Sequence, residues 1–68
     1  MNNEVLLKTY ILMSKYNISE LCIRIGCSRQ TFYNHMKGLY KWRPYEVMML
    51  KELLDLTDEQ AASIFKQN

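Results

Sequence analysis

The chain has 68 residues, 49% of them hydrophobic and 24% charged, which fits one small folded domain and excludes a disordered or multidomain chain. A domain of this size buries only about 60% of its unfolded surface, which leaves little room for a substrate cleft closed to water. The net charge of +2 is unevenly placed: residues 1–45 carry seven Lys/Arg against two acids, whereas residues 46–68 carry two Lys against five acids. No acid occurs between Glu20 and Glu46, a segregation that suggests one face suited to a polyanion. No apolar run approaches the roughly 20 residues that span a bilayer, and no secretory leader pattern opens the chain, so a cytoplasmic protein without a membrane segment is expected. Cys22 and Cys27 read as reduced thiols that pack as small hydrophobes.

The periodicity is helical nearly throughout, and no convincing alternation of period two marks a strand. A first helix is expected over residues 3–16, with Leu6, Leu7, Tyr10, Ile11 and Met13 as its apolar stripe. Asn17 is the N-cap of a second helix from Ile18 to Ile25, and Glu20 completes a capping box. Leu21, Cys22 and Ile25 face inward, and Gly26 ends the helix in a left-handed conformation. Ser28 caps a third helix over Arg29–Lys37, closed by Gly38. After the irregular "LYKWR", Pro44 opens a fourth helix whose buried stripe is Val47, Leu50, Leu53 and Leu54. Thr57 and Gln60 form a second capping box for a fifth helix, with Ala61, Ile64 and Phe65 turned to the core.

The second and third helices are joined by the three-residue turn Gly26-Cys27-Ser28, the spacing of a helix-turn-helix. Each demand of that motif has a residue here. Cys22 is the small side chain where the helices cross. Gly26 tolerates positive φ four positions later, and Leu21, Ile25 and Phe32 hold the pair together. Laid out this way, residues 18–37 resemble the helix-turn-helix of the phage repressor and Cro-type (Xre-like) family. Gly38, the Pro that opens the fourth helix, and "LLDLT" before the last helix extend the resemblance over nearly the whole chain. The expected fold is therefore all-α: one compact five-helix domain over residues 1–68, lambda-repressor-like by this resemblance. The sequence departs from the family at Ile18, where Gln often anchors a phosphate, at His35, where Ile or Leu is usual, and in a slightly longer "LYKWR" loop.

What the resemblance implies is a regulator of transcription that binds double-stranded DNA, with the third helix in the major groove. On a wheel of 100° per residue, Phe32 and Met36 mark its inner side. Arg29, Tyr33 and Lys37 form a row on the other, with Gln30 and Asn34 beside them. Arg can pair bidentately with guanine, and Gln or Asn with adenine, for about 1–3 kcal/mol of discrimination each. Ser28, Arg29, Gln30, Tyr33 and Asn34 are the candidate base contacts. Ser19, Arg24, Lys37, Tyr40, Lys41 and Arg43 are the candidate phosphate contacts, while Lys8 and Lys15 have a weaker claim. Trp42 either caps the core from its loop or offers its indole N–H to a phosphate, and His35 lies at the edge of the core face. An ordinary solvated face would also be polar, but it would mix signs, and this one holds no acid.

Family members often bind as dimers to half-sites about 34–36 Å apart, so an inverted-repeat operator is expected. A homodimer through the acidic C-terminal helices would use Met48, Met49, Leu56 and Phe65, and a monomer core built from the same residues is the alternative. No cofactor, metal or small-molecule ligand is expected. Cys22, Cys27 and His35 match no zinc spacing, and no nucleophile elbow, HExxH or phosphate loop appears, so an enzyme is not expected. The rival reading is a protein-interaction adaptor or inhibitor that presents Tyr33, Tyr40, Trp42 and Tyr45 without specific DNA binding.

Overall fold

Side-chain oxygens and left-handed residues set most of the helix boundaries among the described residues. In the computed structural model, residues 3–65 are described, and they form five α-helices and no strand. These are α1 (Glu4–Met13), α2 (Ile18–Ile25), α3 (Arg29–Met36), α4 (Pro44–Leu53) and α5 (Asp58–Phe65). None of them is long and apolar enough to cross a membrane.

Helix α2 starts with the expected reciprocal cap: Glu20 N–H donates to Asn17 Oδ1 at 2.8 Å, and Asn17 N–H donates to Glu20 Oε1 at 3.0 Å. Thr57 and Gln60 make the same exchange at the start of α5, at 3.1 and 2.9 Å. Helix α1 ends three residues sooner than the periodicity predicts. The Ser14 hydroxyl donates to the Ile11 carbonyl at 2.7 Å and accepts from Tyr16 N–H at 3.1 Å, offering the backbone a local alternative to another helical turn. Lys37, expected inside the third helix, is the residue that caps α3 at its end.

Three helices end on one device. Gly26 at φ 86°, Gly38 at φ 84° and Asp55 at φ 54° are left-handed. The residue after each donates back across the last turn: Cys27 to Cys22 at 3.1 Å, Leu39 to Asn34 at 2.9 Å and Leu56 to Lys51 at 2.9 Å. The sequence signals two of these stops by glycine. The third is held by an aspartate.

Each helix contributes to one cluster. Phe32, Leu7, Leu21 and Leu50 are its fully buried centre, and the inward residues expected on α2 and α5 are all buried in it. Leu54 is buried as well, whereas Val47 and Leu53 are half-buried at its margin. Met13 departs from expectation: it is 75% exposed, because α1 ends there and turns it outward. Leu56 and Phe65, two of the four residues considered for a dimer surface, are buried in the monomer core. Helix α2 packs on α3 and α4, and α5 packs on α1 and α4. At Cys22 the small side chain leaves α3 room to approach, and the thiol lies 3.9 Å from the Ser28 carbonyl.

Candidate nucleic-acid interface

Helix α3 is braced at both ends before any of its polar face is considered. At its start the Ser28 hydroxyl accepts from Thr31 N–H at 3.1 Å and donates to Thr31 Oγ1 at 2.9 Å. Ser28 is thus a working N-cap, and its hydroxyl is already committed within the helix. Phe32, His35 and Met36 are buried along the inner face.

Arg29 and Gln30 are exposed in the first turn. Gln30 Nε2 donates to Asn34 Oδ1 at 3.1 Å, so the two amides form one ridge along the helix. Gln30 keeps its carbonyl and one N–H, and Asn34 keeps both N–H donors, so the ridge still holds what adenine recognition needs. Asn34 is half-buried beneath it. The row of Arg29 and Tyr33 turns to the other side. Both line a groove with Ile18 and Ser19 at the start of α2, and Tyr33 packs half-buried against the core margin. The candidate base-contact residues therefore divide into an amide ridge and a groove edge rather than forming a single stripe.

Among the candidate phosphate contacts, Lys37, Tyr40, Lys41 and Arg43 are exposed over the α3–α4 connection. Ser19 is half-buried in the first turn of α2. Arg24 is exposed and lies over the Tyr16 ring, 5.0 Å from its centroid, with Lys15 at 5.6 Å.

The α3–α4 connection is held by a buried cluster that the sequence reading did not assemble. His35, expected at the edge of the core, is 7% exposed, and Glu46, counted there only as an acid, is 2% exposed. His35 Nε2 lies 3.4 Å from Glu46 Oε2, and its Nδ1 lies 3.2 Å from the Tyr40 carbonyl. That carbonyl can only accept, so Nδ1 carries the proton of this contact. Glu46 Oε1 accepts from Arg43 N–H at 2.7 Å, as the third residue of a helix opened by Pro44. Trp42 lies over the cluster. It stacks on His35 at 4.7 Å with 20° between planes and meets Phe32 and Phe65 edge-on at 5.3 and 5.5 Å. Of the two roles considered for Trp42, capping the core is the one the structure shows. The available signal for Glu46 was its place two residues after a helix-opening proline. Together these contacts fix the backbone that carries Tyr40, Lys41 and Arg43.

Burial raises the Cys22 thiol, although the Cys27 thiol and Arg29 beside it act the other way. Burial also pushes Cys27 up to about 11, reinforced by Cys22 and by Glu46. Both are free thiols. Among the described residues, no three His, Cys, Asp or Glu side chains gather as a metal site requires.

The fold and this surface define a small all-α domain in which two helices, joined by a three-residue turn, present a capped, acid-free helix. In comparison with known proteins, the chain matches no family model, no curated protein and no solved structure.

Proposed function

We propose that the chain is a sequence-specific binder of double-stranded DNA, a transcriptional regulator of the phage repressor or Cro type, with α3 as its reading helix. The observation that carries this is the outer face of α3. Arg29, Gln30 and Asn34 stand on a helix with no acidic residue, fixed by Ser28 at one end and by buried Phe32, His35 and Met36 beneath. Arg29 and the Gln30–Asn34 ridge are assigned to base edges, and Tyr33 to a thymine methyl or backbone at the groove edge. Ser28 acts through the helix cap and its neighbouring backbone N–H groups. Ser19, Arg24, Lys37, Tyr40, Lys41 and Arg43 are assigned to phosphates, with the His35–Glu46 pair as the positioning element for the last three. A homodimer on an inverted repeat remains part of this reading. The exposed apolar material available for it on α4 is Tyr45 and Met48.

Selection of bound sites from a random duplex pool tests the proposal, and the expected outcome is enrichment of one short motif in inverted repeat. Arg29→Ala is expected to lower affinity for that motif by about 1–3 kcal/mol and to relax one base position in gel shifts. Unchanged affinity and selectivity would remove α3 from the reading role.

A further inference from the structure

The groove beside α3 has a volume of about 480 Å³ and is open to solvent. Ile11, Leu12, Tyr16 and Ile18 supply apolar walls, and Lys8 and Arg29 supply the charges. No acidic side chain lines it. Lys8 pairs with Glu4 at 3.2 Å one turn back on α1. Arg29, Arg24 and Lys15 make no ion pair among the described residues, and the last two flank the Tyr16 ring. The apolar surface does not stop at the groove: Leu12 is 85% exposed and Met13, next to it, 75%. Two acids touch groove residues, Glu4 at Lys8 and Glu20 at the Asn17 N–H, against the four cations Lys8, Lys15, Arg24 and Arg29. An exposed apolar surface edged mainly by cations marks a place where an acidic partner docks.

We propose that this groove binds an acidic, amphipathic polypeptide segment, one that sets an apolar side chain between Leu12 and Ile18 and carboxylates toward Arg29, Arg24 and Lys15. Three features select this occupant. The cations are spread over three elements, α2, α3 and the α1–α2 connection, which suits several carboxylates along a chain rather than one. The groove is open and its apolar margin continues over α1, whereas a small ligand is usually 70–90% enclosed. Ile11, Leu12 and Ile18 give it an aliphatic wall, which suits the apolar face of a helix laid in a groove and which a sugar–phosphate backbone would leave uncovered. Arg29 and Tyr33 belong both to this groove and to the proposed DNA-reading surface, so the segment and a duplex exclude one another. The groove's occupancy does not depend on the DNA reading; only that competition does.

The test uses the full chain, isotope-labelled, and a synthetic amphipathic peptide of roughly 15 residues with Leu on one face and Glu on the other. A peptide of the same composition with the faces scrambled, and poly-glutamate, serve as controls. Saturable binding is expected, with amide shifts at Leu12, Ile18, Ser19, Arg29 and Tyr33. Both controls should bind about tenfold more weakly. Leu12→Lys should weaken the amphipathic peptide by about tenfold although it adds a favourable charge, and Arg29→Gln by about threefold. Leu39→Lys in the α3–α4 connection, exposed and outside the groove, should leave it unchanged. Tighter binding by Leu12→Lys, equal binding of poly-glutamate, shifts centred elsewhere, or no saturable binding each overturn the proposal. The readout contains no DNA. A chain that selects a duplex motif but ignores the peptide loses only the groove proposal, and one that binds the peptide but selects no motif loses only the DNA reading.

Discussion

At the scale of single residues, Cys22 and Cys27 meet because of how α2 ends. The bond from Cys27 N–H to the Cys22 carbonyl turns the chain back on itself and brings the two side chains together beneath the turn. Only the thiolate attacks an alkylating reagent, and burial holds Cys27 as a thiol up to about pH 11, above its ordinary 9.0. Iodoacetamide is therefore expected to modify the folded chain slowly at pH 8, with a rate that climbs toward pH 11, and the unfolded chain quickly. Mass spectrometry over a pH series reads both. The linkage has a definite sign. Above about pH 9 the unfolded chain loses these protons first, so the folded state holds more protons and stability falls as pH rises toward 11.

At the scale of elements, helix ends do much of the organising. Gly26 has nothing within 4 Å of where a Cβ would stand, so the cost of Gly26→Ala is purely that of a left-handed backbone. A loss of about 1–2 kcal/mol is expected in urea unfolding, and Gly26→Asn should lose less. Asp55 carries the converse: Asp55→Gly relieves a left-handed aspartate and should stabilise by about 0.5–1 kcal/mol. The tie between α3 and α4 is polar as well as apolar. Glu46→Ala leaves buried His35 Nε2 without its partner and frees Arg43 N–H, so about 1–3 kcal/mol should be lost. Glu46→Gln keeps the acceptor for Arg43 and should lose less. Trp42, stacked on His35, reports both variants by its fluorescence. The helices themselves were legible in the sequence, because Asn17, Ser28 and Thr57 act within three residues of themselves. The early stop of α1 was not, since Ser14 competes with a periodicity that continues past it.

At the scale of the whole molecule, charge is sorted before it is folded, and folding sharpens the sorting. Burial removes Glu46 from the surface, and Asp58, its carboxyl held low by the bond from Lys51, is tied to the α4–α5 side. The α3–α4 connection is left exposing Lys37, Lys41 and Arg43. If these and Arg24 meet phosphates, four released counterions imply an affinity loss of about 10²-fold between 50 and 200 mM salt. Lys41→Ala should reduce the slope of log affinity on log salt by about one while leaving the selected motif unchanged. A contact made mainly through aromatic side chains would hardly respond to salt, which separates the adaptor reading from the DNA reading in one titration.

By itself the sequence determined the five helices, the opening caps of α2, α3 and α5, the inward faces of α2 and α5, and a third helix without acid. Each of these follows from spacing and local hydrogen bonding, which depend on neighbours along the chain. Only the tertiary structure decided that Glu46 reaches His35, that Trp42 lies over both, that Leu56 and Phe65 are spent inside, and that Arg29 and Tyr33 share a groove with α1. The reason is physical: those outcomes join residues from different helices, and which side chains meet there is set by how the helices cross, a property no single segment possesses.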